Sequence, residues 1–151
     1  ALGLFGAFVA GPRVMIEYLV NRSRPFIFTT AVPALLLYGI EAALDRLEAE
    51  PERRKRVCQL ADRLRDRLKK GNLDTLNSCG PIVPVLLGES DLALKAAAGV
   101  QQKGHDVRAI RPPTVAPGTA RLRISVHANH GEEQIDRLAE ALVEVVEGAM
   151  S

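Results

Sequence analysis

Tryptophan is absent from this sequence, and four phenylalanines and two tyrosines complete its large aromatics. So few rings give little of the platform on which single-stranded nucleic acid stacks its bases. Only two cysteines occur, Cys58 and Cys79, too few for a disulfide scaffold or a four-thiolate metal site, and that usage predicts a reducing, cytoplasmic setting. No apolar run approaches the roughly 18 residues of a membrane-spanning helix. An excess of one charge is also lacking: 20 basic and 18 acidic side chains leave a net charge of +2, too mild to imply nucleic acid without a clustered patch. The apolar, glycine-rich opening over residues 1–10 has no basic leader, so it does not read as a secretory signal. A segment of that kind, turning at Gly11-Pro12, is expected in the middle of a domain, and the chain is expected to begin in mid-protein.

What is present is an ordinary globular composition, 47% hydrophobic and 25% charged over 151 residues, enough to bury a core. Residues 1–10 are too rich in glycine for a helix and read as a short buried strand. Pro12 opens a helix over 13–20, with Val14, Ile16, Leu19 and Val20 as its apolar contacts. Residues 21–25 break it, and Phe26-Ile27-Phe28-Thr29-Thr30 read as a strand. After Pro33 a helix is predicted to about Glu48; its first half is apolar nearly all round, which predicts burial between layers.

Pro51 starts a helix over 52–70 whose Val57, Leu60, Ala61, Leu64 and Leu68 form one stripe, with Gly71 as the expected stop. Residues 82–87 read as a strand, and Pro84 within it predicts an edge position or a bulge. Ser90 and Asp91 are expected to cap a helix that Gly104 ends. A short strand over 107–110 and an alternating strand over 121–127 follow. In the second, Leu122, Ile124 and Val126 point one way and Arg121, Arg123, Ser125 and His127 the other. A last helix opens at Gly131-Glu132-Glu133 and buries Ile135, Leu138, Leu142, Val145 and Val146. Residues 52–150 therefore predict a small α+β layer with helices on one face of a mainly antiparallel sheet. Residues 1–48 read as the trailing edge of another domain.

The helix over 52–70 carries Arg53, Arg54, Lys55, Arg56, Arg63, Arg65 and Arg67. Interleaved acids such as Glu52, Asp62 and Asp66, with an unbroken apolar stripe, make it a solvated face rather than a nucleic-acid stripe. His105, His127 and His130 have no carboxylate or thiol at ligand spacing, which argues against a metal, and neither cysteine sits in a nucleophile pattern. Gly3, Gly6 and Gly11 do not form a phosphate loop; close backbone packing is their expected role. Thr29 and Thr30 read either as a phosphate-holding strand end or as threonines placed by β propensity. The most informative segment is 111–123. Pro112, Pro113 and Pro117 stiffen a loop that presents Arg111 and Thr114 beside the polar face carrying Arg121 and Arg123. Guanidiniums on rigid backbone suit two-point capture of a carboxylate, and on the residues alone this weighs evenly against plain surface arginines.

Taken together, Ile110-Arg111-Pro112-Pro113-Thr114-Val115 and Pro117-Gly118-Thr119-Ala120-Arg121-Leu122-Arg123-Ile124-Ser125 resemble the C-terminal domain of the α-oxoamine synthases. These are pyridoxal-phosphate enzymes of the aspartate-aminotransferase fold, fold type I. Ala1-Leu2-Gly3, Phe5-Gly6, Val9-Ala10-Gly11 and the run from Phe26 to Thr30 are similar to the family as well, although Leu4 departs from its usual small residue. The resemblance implies an α/β large domain ending over residues 1–50 with a connecting helix, then a small α+β domain over 51–151. It implies that the lysine holding pyridoxal phosphate falls immediately before Ala1, so that this chain alone is inactive. Arg111 is then expected to bind the amino-acid or β-keto-acid carboxylate and Thr114 to contact substrate. Arg123 is expected to help with the carboxylate of the acyl substrate. Thr29 and Thr30 are expected to reach the cofactor phosphate of the neighbouring subunit of a homodimer. The arginine-proline-proline-threonine loop is the form of the branch that condenses L-alanine with a pimeloyl thioester. The glycine C-acetyltransferase, 5-aminolevulinate synthase and serine palmitoyltransferase branches usually vary its first part. A non-catalytic oligomerisation or binding module on the same small-domain fold is the alternative; no metal, nucleic-acid or membrane partner is expected.

Overall fold

The computed structural model of the protein describes residues 3–150. The chain divides into two compact units, Ala1–Pro51 and Glu52–Ser151. The first unit holds three helices, α1 (Arg13–Arg22), α2 (Arg24–Ile27) and α3 (Ala34–Ala49). Pro12 and Pro33 stand at the N-caps of α1 and α3, and their carbonyls accept the first turn's N–H groups of Met15 and Leu36 at 2.9 Å. Proline suits that place because its missing N–H would have had no partner there.

Two expectations fail in this unit. Residues 3–10 form no strand and are exposed, and Ala1 and Leu2 of the apolar opening lie outside the described residues. The run from Phe26 to Thr30 is not a strand either: α2 occupies Arg24–Ile27, with Pro25 in its first turn. A β-rich run becomes a strand only where a ladder partner exists, and no described residue of the first unit is in a strand. The apolar half of α3 is not buried; Leu35 is 81% exposed. Close packing does not explain Gly3 and Gly6, since a Cβ at either would meet nothing within 4 Å, but both have positive φ, at 73° and 126°.

The second unit runs α4 (Pro51–Lys70), β1 (Ile82–Gly88), α5 (Ser90–Gln102), β2 (Arg108–Ile110), β3 (Ala120–Ser125) and α6 (Glu132–Met150). Its three-stranded sheet is antiparallel, in the order β1-β3-β2, so the strand containing Pro84 is indeed an edge. Leu60, Leu64 and Leu68 of α4, Val83 and Val85 of β1, Val100 of α5, Leu122 and Ile124 of β3, and Ile135 and Leu142 of α6 meet in one buried core. Val145, expected in the core, is only partly buried and packs against it.

Both α4 and α5 end in left-handed turns. At the end of α5, the N–H of His105 bonds to the Val100 carbonyl at 3.2 Å and that of Gly104 to Gln101 at 2.9 Å, with Gly104 at φ 86°. After α4 the same pattern uses Asn72, at φ 58°, in place of the expected Gly71. Gly71 is needed for space instead, because a Cβ there would lie 2.3 Å from Val143 Cγ2 on α6. The N-cap of α5 is Glu89, one residue before the expected Ser90, and makes no side-chain capping bond.

The basic face of α4 is solvated at Arg53, Arg54, Lys55 and Arg56, as expected, but its later arginines are engaged. Arg63 grips Asp136 of α6 through two bonds of 2.7 Å, and Arg67 adds a third at 2.6 Å to the same carboxylate. The Arg63 guanidinium holds the Asp136 carboxyl below the usual carboxylate range. Arg65 is buried, donating to the Gly80 carbonyl and to Asp62, each at 2.8 Å.

Candidate functional site

The loop between β2 and β3 is shaped by its own backbone. The N–H of Thr114 donates to the Arg111 carbonyl at 3.1 Å, closing a turn over the two prolines. At the far side, the N–H and hydroxyl of Thr119 both donate to the Ala116 carbonyl, at 3.2 and 2.7 Å. Arg121 Nε then donates to the Thr119 carbonyl at 3.0 Å, which ties the first polar position of β3 to the loop. Arg111 and Thr114 leave the loop as exposed side chains with no hydrogen bond or ion pair among the described residues. Arg123 is exposed and equally without a partner among them.

Register adds a residue that sequence reasoning missed. Arg108 on β2 stands directly across from Arg123, and Ile110 across from Arg121, so Arg108, Arg121 and Arg123 share the sheet face away from the helices. Arg108 reaches one acid, Asp106, at 3.0 Å. Directly opposed like charges are unfavourable, and a face built that way has capacity for an anion. Only the pairing of two strands separated by the whole proline loop reveals Arg108; the three-residue β2 alone carries no such signal.

The remaining candidates lie elsewhere. Thr29 and Thr30 sit in the first unit, just after α2 and not at a strand end; both are exposed, and Thr29 Oγ1 reaches only the Thr30 carbonyl, at 3.4 Å. Cys58 and Cys79 are free and exposed. Among the described residues no three His, Cys, Asp or Glu side chains gather as a metal set, and no helix is long and apolar enough to cross a membrane.

The chain is similar to known proteins along nearly its whole length. The family described as aminotransferase class I and II matches residues 1–142. The chain is 46% identical over 148 residues to the 8-amino-7-oxononanoate synthase of Anaeromyxobacter dehalogenans strain 2CP-C, covering 98% of this chain and 37% of that protein. With the 8-amino-7-oxononanoate synthase of Saccharophagus degradans it shares 41% over 146 residues, 97% of this chain and 37% of that protein. Among solved structures, a variant serine palmitoyltransferase from S. paucimobilis with a bound PLP-myriocin aldimine superimposes with a TM-score of 0.89 at 26% identity, over 99% of this chain and 38% of that one. An 8-amino-7-oxononanoate synthase from Francisella tularensis gives a TM-score of 0.77 at 26% identity, over 93% of this chain and 41% of that one. The chain thus spans about 37% of the length of these curated relatives.

Proposed function

Because the chain belongs to the aminotransferase class I and II family, we propose that it works as part of a pyridoxal-phosphate-dependent acyltransferase. The reaction in this reading condenses L-alanine with a pimeloyl thioester to 8-amino-7-oxononanoate, with loss of carbon dioxide, in biotin biosynthesis. The observation that carries it is the 41–46% identity to 8-amino-7-oxononanoate synthases along nearly the whole chain, which includes the Arg111–Thr114 turn.

Pyridoxal phosphate, when bound, supplies an electron sink for the α-carbon of the amino acid. The hydroxyls of Thr29 and Thr30 fit its phosphate: they are exposed, and one weak contact to a neighbouring carbonyl is all that Thr29 Oγ1 would give up. In this reading they serve the cofactor of a second copy in a homodimer, and the cofactor-holding lysine lies before Ala1, so this chain alone is inactive. The first unit is the end of the cofactor-binding domain and the second the small domain.

Arg111 binds the substrate carboxylate through its planar pair of donors, and holding that group fixes how the amino acid is turned at its α-carbon. The turn closed by the Thr114 N–H keeps the two residues close along the backbone, and in this reading Thr114 contacts the same substrate. Arg123 takes the carboxylate of the acyl substrate. The test is steady-state kinetics of the enzyme that contains this chain, with L-alanine varied. Arg111→Ala is expected to lower kcat/KM for alanine by roughly 30- to 1000-fold, the equivalent of about 2–4 kcal/mol for a charge-assisted pair in a closed site. Arg111→Lys restores only part of it, because an ammonium lacks the two-donor fork. Near-wild-type efficiency in Arg111→Ala would refute the assignment, and serine or glycine outcompeting alanine would move the protein to another branch of the α-oxoamine synthases.

A further inference from the structure

Arg121 shares a sheet face with Arg123 but not its freedom. β3 is the middle strand, and Arg121 stands there across from Leu86 of β1 on one side and Ile110 of β2 on the other. Residues opposed in this way share a face, so apolar neighbours flank the stem of Arg121, and the side chain is half-buried. Its Nε donates to the Thr119 carbonyl at 3.0 Å. Arg121 therefore holds the β2–β3 loop at both ends. Its backbone is registered on Ile110, the residue directly before Arg111, and its side chain is bonded to Thr119, where the loop runs back into β3.

Arg111 depends on that arrangement. Its guanidinium makes no hydrogen bond or ion pair among the described residues, so the direction in which it leaves the chain is set by the loop backbone alone. Inside the loop the backbone is closed twice, by the Thr114 N–H on the Arg111 carbonyl and by the Thr119 N–H and hydroxyl on the Ala116 carbonyl. Those bonds shape two turns, but they do not tie either turn to the sheet. Strand pairing does so at the entrance, where Ile110 meets Arg121. At the exit the ladder with β1 is irregular: its register shifts between Leu86 and Gly88, across from Arg121 and Ala120. A shift of that kind interrupts the ladder bonds and lets a strand end bend. The Nε bond of Arg121 falls at this weak point and supplies the missing tie. A guanidinium committed to a carbonyl in this way is placed to hold backbone, whereas Arg111 and Arg123 are left open to take a ligand.

We infer that Arg121 is a positioning residue: through the Thr119 carbonyl it braces the loop exit, and so sets the angle at which Arg111 meets the α-carboxylate, without itself touching substrate. The positioning role rests on the carboxylate reading of Arg111 above; the brace does not. The test uses the enzyme that contains this chain, with Arg121→Met, which keeps an unbranched stem and removes the Nε–H donor. Hydrogen–deuterium exchange read by mass spectrometry is expected to quicken over residues 111–119 and to stay unchanged in α4 and α6. The kcat/KM for L-alanine should fall roughly tenfold, while the KM for the acyl thioester stays within about twofold. In an Arg111→Ala background the added Arg121→Met should cost less than about twofold, because a brace is worth nothing once the group it aims is gone. Thr119→Val, which removes the hydroxyl bond at the same exit, should repeat the pattern more weakly, and Thr119→Ser should restore it. That pair decides the matter should Arg121→Met fail to fold. Unchanged exchange over 111–119 overturns the brace. Losses that multiply with Arg111→Ala, or an acyl KM that rises in step, overturn the positioning role by showing direct binding or general loosening. If glycine or serine is used in place of alanine, the cycle is read on that amino acid, whose α-carboxylate is the same. Turnover of none of the three sinks the carboxylate reading and the positioning role with it, and exchange then judges the brace alone.

Discussion

Gly71 offers a perturbation whose sign the structure decides. The residue follows α4 with no positive φ, so Ala at this position meets no backbone strain, and by restricting the unfolded chain alone it should stabilise by up to about 1 kcal/mol. The packing says the opposite. A Cβ would stand 2.3 Å from Val143 Cγ2 and 3.1 Å from Cγ1, where carbon atoms prefer roughly 3.5–4.0 Å. Val143 cannot easily step aside, because a valine on a helix has one strongly preferred rotamer. Either it takes a strained rotamer or α6 lifts from α4, and overpacking of this kind costs about 1–3 kcal/mol. Gly71→Ala is therefore expected to lower stability by about 1–2 kcal/mol, seen in urea unfolding followed by far-UV circular dichroism. Val143→Ala removes both offending methyls, so the double variant should lie above the sum of the two single losses by about 1 kcal/mol or more. Gly99, where a Cβ would lie 2.7 Å from Val145 Cγ1, should show the same sign more weakly in Gly99→Ala. A stabilised Gly71→Ala, or a double variant that is simply additive, would refute the packing account.

Two further outcomes follow from the charges that α4 buries or pairs. Arg65→Ala leaves the Gly80 carbonyl without its donor at 2.8 Å and should cost about 2–3 kcal/mol in urea unfolding, with Arg65→Lys recovering only part; a change within about 0.5 kcal/mol would contradict it. The Asp136 carboxyl has a folded pKa below its unfolded value, so its contribution is present above the ordinary carboxylate pKa and lost as pH falls through the lower folded value. Asp136→Asn should therefore lower Tm at pH 7 and flatten its fall below about pH 4, and an unchanged Tm–pH curve would show that the Arg63 and Arg67 contacts contribute nothing.

The second unit was legible because its signals are local and agree. Leu60, Ala61, Leu64 and Leu68 recur at helical spacing, Leu122 and Ile124 at strand spacing, and all of them are buried. Pro84 argued for an edge, and the strand order confirms it. The first unit was misread where a strand was expected from residue type alone. Phe26 to Thr30 has the composition of a strand, but a ladder is a property of two segments, and the short helix that includes Pro25 satisfies its backbone locally. The helix stops show how packing overrides a local preference: Gly71 had the right identity for the left-handed position, yet Asn72 takes it, because α6 needs the bare backbone one residue earlier.

Charged residues followed a different rule. Arg111, Thr114 and Arg123 stood out because three prolines and a two-residue period mark them within a dozen positions of one another. Arg63 and Arg67 read as part of a solvated face because the sequence shows their sign but not their partner, and that partner, Asp136, lies 73 and 69 residues away. An apolar side chain is satisfied by nearly any apolar neighbour, so its spacing alone discloses its role. A guanidinium needs one particular acceptor at one particular angle, and tertiary structure alone supplies it. Arg108 shows the same limit in another way: its acid, Asp106, is two residues away, but only the β2–β3 register discloses that it stands across from Arg123.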